Sequence, residues 1–225
     1  QREPICAGQR YSDLCLAVQL VNRQGALHAI EFSEFTQHLQ HLAKSLDSPI
    51  TLPDMVNVLA QAHELDTFAQ QNDVQLQIHV RGLAQPWSAA QIKNRFVEDG
   101  LVLSRDGRYF TYEHPIENKL QPIFTARFHD IHFLNDDLLA VTGTQIDLSF
   151  DAPRVIEDIR PFRLMWSYGQ HLSKSLAAEI VDDRGQSLQI AALNIIETRL
   201  QEIYTHLRQH GIAAGSANAL RLFNQ

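Results

Sequence analysis

A segment of this sequence occurs twice, at a fixed separation of 130 positions. Residues 171–176 read His-Leu-Ser-Lys-Ser-Leu and residues 41–46 read His-Leu-Ala-Lys-Ser-Leu, with one difference in six. The apolar positions around both copies fit one face of a helix and share the same separation. They are Phe162, Met165, Gly169, Leu172 and Leu176 in one copy, and Phe32, Phe35, Leu39, Leu42 and Leu46 in the other. A register shared over this length predicts an internal duplication.

The residues that flank the two helices extend the correspondence. Residues 146–150 (Ile-Asp-Leu-Ser-Phe) alternate apolar and polar side chains, which is typical of a half-buried strand. Residues 16–20 occupy the equivalent place, and Ile50 corresponds to Ile180. We therefore expect a strand from Leu14 to Val21. We also expect one strand–helix–strand path for residues 16–50 and 146–180, with the apolar faces of both helices buried.

The rest of the chain predicts an α+β fold: an antiparallel sheet with helices on one face. The family resemblance described below implies that this sheet is of a split β-α-β type. Strands are expected at 74–80, 101–103, 108–113, 123–129, 146–150 and 180–181, and helices at 88–100, 161–176 and 192–207. Asp106-Gly107 is a hairpin turn signal. The predicted domains are a partial repeat over 1–70 (strand, helix, short strand, helix), a complete unit over 73–210 and a tail over 211–225.

Composition narrows the functional class. The formal net charge of -7 argues against a nucleic-acid surface, which needs a basic stripe. The two cysteines, Cys6 and Cys15, have no zinc spacing and fit a reducing cytoplasm. The sequence contains no apolar run of transmembrane length and no signal peptide. It begins with Gln1 rather than Met, which suggests a trimmed chain.

No motif in the sequence indicates catalysis. His38 and His41, and likewise His206 and His210, have helical spacings that could bind a metal, but neither pair has an acidic or cysteine ligand nearby. Asp182-Asp183 precedes Arg-Gly and is typical of a turn. There is no phosphate-binding loop, dinucleotide fingerprint or nucleophile elbow. We therefore expect no enzyme activity, no cofactor, no metal and no small-molecule substrate.

The strand pattern leaves one sheet face to be explained. If the apolar side chains of strands 74–80 and 146–150 point at the helices, the polar ones point away from them. Those polar side chains are Gln75, Gln77, His79, Asp147 and Ser149. This open face is either a solvent-facing surface or a docking platform.

Residues 73 to about 210 resemble the ZipA C-terminal domain family, whose members bind the tubulin-like bacterial division protein FtsZ. The resemblance is carried by the order and spacing of several segments. These are the strand 74–80 with the helix ending at Gly100-Leu101, Asp106-Gly107-Arg108-Tyr109-Phe110, Pro122-Ile123-Phe124-Thr125, Ile146–Phe150 with Pro153, Pro161-Phe162-Arg163-Leu164-Met165, Ala178–Asp183, Leu193–Tyr204 and 214–223.

The resemblance implies a non-enzymatic adaptor that binds the C-terminal tail of FtsZ on the open face. It also implies an N-terminal anchor and linker, which would tether the division ring to the cytoplasmic face of the bacterial inner membrane at the septum. The expected peptide-binding residues are Gln77, His79, Tyr109, Thr111, Thr125, Arg127 and Asp147. Because the target peptide carries acidic and apolar residues, Arg127 is expected to attract it and Asp147 to repel it.

A second interpretation remains open at this point. The outward residues of the first strand are polar, and an acid or amide in the middle of a peptide groove weakens binding that relies on apolar anchors. The chain could then be a structural or dimerisation scaffold of the division machinery that has kept the fold and lost the groove.

Overall fold

The computed structural model describes residues 7–8 and 11–224, so Gln1 and Cys6 lie outside the described residues. The chain divides into two compact units at the boundary between Thr67 and Phe68. The first unit contains the hairpin β1 (Val21–Asn22) and β2 (Gly25–Ala26), the helix α1 (Ala29–Ser45) and most of α2 (Met55–Asn72). A capping box begins α1, since the His28 N–H donates to the Glu31 carboxylate.

The strand expected from Leu14 to Val21 is not observed. Residues 13–20 are irregular, and only Val21–Asn22 pairs, over two residues, with the following β2. The alternating pattern in this segment does not produce a longer strand because, among the described residues of the first unit, only the short β2 is available to pair with it. Residue 50 likewise lies outside any strand.

The burial expected for α1 is confirmed only near its start. Phe32 is 4% exposed and Phe35 is half-buried, whereas Leu42 and Leu46 are 37% and 55% exposed. The prediction was therefore wrong for both leucines. The equivalent helix of the second unit packs on a six-stranded sheet, whereas the described residues of the first unit form only the two-residue hairpin β1–β2.

The helical part of the duplication nevertheless keeps its register. The helix α4 (Pro161–Ser175) ends 130 positions after α1. Two positions beyond each helix a residue adopts a left-handed backbone, with φ of 48° at Asp47 and 50° at Ala177. The two helices thus end in the same way, and a common origin of the two segments stays a prediction.

The second unit is built on a six-stranded antiparallel sheet. Its elements in chain order are β3 (Gln75–Gly82), β4 (Trp87–Ser88), α3 (Ala89–Glu98), β5 (Val102–Leu103), β6 (Phe110–Ile116), β7 (Lys119–Arg127), β8 (Thr142–Gly143), β9 (Gln145–Asp151), α4, β10 (Ala178–Val181), α5 (Ile190–Gln209) and α6 (Ala217–Leu222). The strand order is β10-β3-β9-β7-β6-β5, and β4 pairs separately with β8. This confirms the predicted α+β class.

The core lies between the sheet and the helices α3 and α4. Side chains that alternate along the central strands are almost fully buried, at 7% exposure or less: Ile78, Val80, Ile146, Leu148, Phe150 and Ile180. Gly169 marks the closest approach of α4 to the sheet, because a Cβ there would lie 3.3 Å from the Cδ1 atoms of Ile78 and Ile180. Phe162, Met165 and Leu172 are buried as expected, and Leu176 is half-buried.

A buried carboxylate joins α3 to α4 on this side of the sheet. Asp99, just after α3, accepts from the guanidinium of Arg95 and from the hydroxyl of Tyr168 at 3.1 Å, and lies 3.1 Å from Nε2 of His171. Burial alone would raise the pKa of Asp99, but the hydrogen bonds from Arg95, His171 and Tyr168 outweigh it and hold that pKa below its usual value. The carboxylate is therefore ionised at neutral pH and fixes how the two helices pack.

Two segments lie outside the helices and strands that the sequence predicts. The hairpin between β6 and β7 turns at Glu117-Asn118, both with positive φ, as a two-residue type I′ turn requires. Residues 211–225, expected as a tail, contain α6, which begins at the N-cap Ser216. Leu222 and Phe223 are buried there, so apolar burial anchors this segment to the second unit.

Candidate functional site

The open face, which is the sheet surface opposite α3 and α4, carries a first row of side chains in register across four strands. Val181 of β10 pairs with His79 of β3, and His79 pairs with Asp147 of β9. Asp147 pairs in turn with Arg127 of β7. The row ends at Tyr109, whose ring centre lies 5.2 Å from the guanidinium carbon of Arg127. Side chains at paired positions share a face, so these groups form one continuous surface.

A second row runs parallel to the first, one pleat away. Gln77 pairs with Ser149, Ser149 with Thr125, and Thr125 with Thr111. The hydroxyls of Thr125 and Ser149 are 3.0 Å apart. The row ends at Val102 of β5, which is 49% exposed. All seven residues predicted as peptide contacts therefore fall in these two rows.

The middle of the first row is a hydrogen-bonded cluster around an imidazole. Nδ1 of His79 lies 2.6 Å from Oδ1 of Asp147, and Nε2 lies 3.0 Å from Oδ1 of Asp183. The side-chain amide of Gln145 donates to the same Asp147 oxygen at 2.8 Å. We call His79, Asp147, Asp183 and Gln145 the His79 cluster. A ring with a carboxylate at each nitrogen is best satisfied as an imidazolium, which donates at both.

The environment of His79 raises the pKa of its imidazole ring. Burial of the ring disfavours its charged form, but the hydrogen bonds to Asp147 and Asp183, with the charges of both, outweigh this and raise the pKa of His79 above its ordinary value of about 6.5. A protonated His79 offsets the charge of Asp147. At pH values below this raised pKa the face is accordingly less acidic than its sequence suggests.

The stability of the fold is expected to depend on the protonation of His79. A group whose pKa is raised on folding contributes stability that is fully present below about pH 6.5 and is lost as the pH rises through the folded value. His79→Gln should therefore destabilise the chain more at pH 6 than at pH 8.5, by up to about 1 kcal/mol, the size of a partly exposed ion pair. Urea unfolding at both pH values measures the difference.

The partner of His79 provides the control for this effect. Asp183→Asn keeps the shape of the side chain and removes its charge. It should therefore reduce the difference in unfolding free energy between pH 6 and pH 8.5, and it should lower the NMR titration midpoint of His79. A parent midpoint below pH 6.5 would contradict the assignment.

Arg127 is an exposed cation on the open face. Its side chain is exposed and lies over the half-buried ring of Tyr109, which restrains the guanidinium by a cation–π contact. In the first row Asp147 is hydrogen-bonded to His79 and Gln145. Arg127 lies next to it, on the neighbouring strand β7. The arrangement can bind a carboxylate at Arg127 and an apolar group beside Tyr109.

The predicted contact set did not include Gln145, Ser149 and Asp183, which also lie on this surface. Gln145 and Ser149 lie on β9 at the same parity as Asp147, so the alternation of that strand contains the signal for both. Asp183 was interpreted as turn chemistry. Its turn is indeed formed, since Asp182 accepts from the N–H groups of Arg184 and Gln186. No local pattern indicates that Asp183 reaches His79, because that contact depends on the pairing of β10 with β3.

Among the residues that the structure describes there is neither a candidate metal centre nor a candidate membrane-spanning helix. Within 7–8 and 11–224, no group of three or more His, Cys, Asp or Glu side chains is arranged to hold a metal ion. In the same residues no helix combines the length and apolar character that spanning a bilayer requires. Cys15 is exposed and is not in a disulfide.

A family match covers most of the second unit. Residues 74–199, more than half of the chain, match the model of the ZipA C-terminal FtsZ-binding domain. The chain belongs to this family. No curated protein matches the chain.

Membership of the ZipA C-terminal domain family fixes the broad role. The matched residues begin beside β3 and end within α5, and so contain the whole six-stranded sheet and both rows of the open face. The ZipA C-terminal domain binds FtsZ, which makes the chain an FtsZ-binding protein of cell division. The family binds protein and is not catalytic.

Proposed function

We propose that the chain binds the C-terminal tail of FtsZ on the open face, with Gln77, His79, Tyr109, Thr111, Thr125, Arg127 and Asp147 as contacts. The observation that carries the proposal is the register of the sheet, since all seven side chains stand in two adjacent rows away from α3 and α4. Family membership supports FtsZ as the partner.

The charges of the two rows support an acidic segment as ligand. Arg127 is exposed, while Asp147 is hydrogen-bonded to His79 and Gln145. A carboxylate of the peptide can therefore pair with Arg127, because the hydrogen bonds that Asp147 accepts partly offset the repulsion between Asp147 and the peptide. Tyr109 at one end of the first row and Val102 at the end of the second supply apolar contact area for the non-acidic residues of the tail.

We further propose that binding occurs at the cytoplasmic face of the bacterial inner membrane, at the division septum. In this proposal an N-terminal segment anchors the protein, residues 73–210 bind FtsZ, and residues 1–70 are the remains of a duplicated unit. The matching ends of α1 and α4 support the last point.

A structural or dimerisation scaffold is the second candidate. The centre of the open face favours it, because the His79 cluster and the hydroxyls of Thr125 and Ser149 occupy the place where a peptide groove needs apolar anchors. The two candidates differ in one measurable property. Titration of a labelled FtsZ C-terminal peptide into the chain shows saturable binding for the adaptor and none for the scaffold.

Charge reversal at Arg127 is expected to weaken peptide binding. Arg127→Glu removes the pairing cation and adds repulsion, and the loss should be about fivefold in Kd, near 1 kcal/mol, because an exposed pair is screened by water and salt. Asp147→Lys should have the opposite sign and a smaller effect, and Asp147→Asn tests the same charge while keeping the shape of the side chain. Fluorescence anisotropy of the labelled peptide measures all three.

The matched control is Arg105→Glu, which makes the same charge change at an exposed position of the turn after β5. Equal weakening by Arg105→Glu and Arg127→Glu would reflect net charge alone and contradict the proposed site. Binding that none of these variants alters would place the peptide elsewhere.

A further inference from the structure

The His79 cluster places three ionisable side chains in one hydrogen-bonded chain on the open face. The ring of His79 lies between Oδ1 of Asp147, 2.6 Å from Nδ1, and Oδ1 of Asp183, 3.0 Å from Nε2. The His79 side chain is 12% exposed, so water screens its charge less than that of a surface histidine. Two carboxylates and one imidazolium leave a single net negative charge on the cluster. Loss of the ring proton leaves two.

Loss of the ring proton also changes the hydrogen bonds of the cluster. A neutral imidazole donates at only one nitrogen, so one carboxylate oxygen then faces a ring lone pair and is repelled. Asp147 keeps the Gln145 amide as a donor at 2.8 Å. The Asp183 side chain is 81% exposed, and we therefore expect this carboxylate to turn away from the ring into solvent. The open face then carries a second negative charge that no imidazolium offsets.

The other side chains around the ring do not replace its proton. Arg81, two residues along β3, pairs with Glu179 at 2.9 Å. On β10 the residue paired with the ring position is Val181, which is apolar and buried. Asp182, in the turn after β10, accepts from backbone N–H groups of that turn. Arg127 lies beyond the cluster on β7 and is exposed. The charge next to Arg127 therefore follows the protonation of the ring.

We propose that the open face binds an acidic peptide more tightly when His79 is protonated, so that binding of the FtsZ tail is coupled to proton uptake by the ring. A peptide carboxylate paired with Arg127 stands beside Asp147, and the additional negative charge of the deprotonated cluster repels it. The inference rests on the FtsZ-tail binding proposed above and adds a pH dependence to it. Because the pKa of His79 is raised above about 6.5, most rings are protonated at pH 6 and affinity falls at higher pH.

Thermodynamic linkage gives this coupling two independent readouts. One charge on the neighbouring strand, screened by water and salt, should change the affinity for an acidic peptide about threefold. Since coupling between two bound species is reciprocal, the peptide must raise the titration midpoint of His79 by the same factor, or about half a pH unit. The affinity and the ring titration can therefore be measured separately and compared.

The test uses the whole chain and an FtsZ C-terminal peptide without histidine, labelled at its N-terminus so that it has no titrating amine. Fluorescence anisotropy at constant ionic strength should give a Kd about threefold higher at pH 8.5 than at pH 6. The same peptide with asparagine and glutamine in place of its acidic residues should bind equally at both pH values. NMR of the imidazole should show the midpoint of His79 about half a pH unit higher in the saturated complex than in the unbound chain.

Two variants and a control assign the effect to the ring. His79→Gln should abolish the pH dependence and bind at pH 6 as weakly as the parent does at pH 8.5. The matched control His38→Gln, at an exposed position of α1, should keep the threefold change. Asp183→Asn, whose side chain is largely exposed and so leaves the fold intact, should move the pH at which the Kd rises downward, together with the NMR midpoint of His79.

The outcomes separate this inference from the proposed function. Absence of peptide binding at both pH values would overturn the two together. Binding with the same Kd at pH 6 and pH 8.5 would overturn the coupling and leave the binding site standing. The coupling would also be overturned by a pH dependence that persists in His79→Gln, or that is as large for the peptide without acidic residues.

Discussion

Replacing Phe162 with alanine is expected to lower the free energy of unfolding by about 3–5 kcal/mol. Phe162 is 3% exposed at the start of α4 and forms part of the floor between α4 and α5. The loss combines the transfer of a large apolar side chain with the void that it leaves. Since Phe162 lines a cavity between α4 and α5, water can enter part of that void, which favours the lower half of the range.

Urea unfolding followed by tryptophan fluorescence measures this effect, because Trp87 and Trp166 both belong to the second unit. Phe162→Leu is the control and should cost clearly less, since it keeps most of the apolar volume. A loss below about 1 kcal/mol for Phe162→Ala would mean that the helix face does not pack as the structure has it.

The second large effect is a contrast between two leucines at equivalent positions of the repeat. Leu172 is fully buried under α4, whereas Leu42 on α1 is 37% exposed. Leu172→Ala should therefore lower the free energy of unfolding by about 2–5 kcal/mol, and Leu42→Ala by less than about 1 kcal/mol. The same substitution in nearly identical local sequence isolates the contribution of tertiary packing.

Circular dichroism at 222 nm is the appropriate measurement, because it reports α1 as well as α4 during urea unfolding. Equal losses in the two variants would contradict the difference in burial between the units. A small loss for Leu172→Ala alone would show that α4 is less tightly packed on the sheet than its contacts with β3 and β10 require.

The sequence was most informative where a segment had a regular period and a strong local signal. The alternation of residues 146–150 predicted which side chains of β9 face the helices, and Ile146 and Leu148 are fully buried. The helix predicted from residue 88 begins there, since Ser88 is the N-cap of α3 and its hydroxyl accepts from the N–H of Gln91. Each of these features depends on residues close in the chain, whose geometry follows from local sterics and hydrogen bonding.

The candidate site was predicted in part for the same reason. The parity of each strand selected Gln77, His79, Thr125, Arg127 and Asp147 as outward-facing. Whether these side chains form one surface depends on how the strands are ordered and aligned. The observed order β3-β9-β7-β6 aligns them in two rows, and it also brings Asp183 to His79 across 104 positions of sequence.

What the sequence by itself determined is the helices α1 to α5, most strands of the second unit and the two-sided character of its sheet. Only the tertiary structure decided that residues 14–20 remain irregular, that Leu42 is exposed while Leu172 is buried, and that His79 lies between two carboxylates. The physical reason is that strand pairing and burial are properties of neighbouring elements. A repeated pattern retains its helix in both places because helical hydrogen bonds lie within the segment, but it gains a strand or a buried face only where a sheet lies beside it.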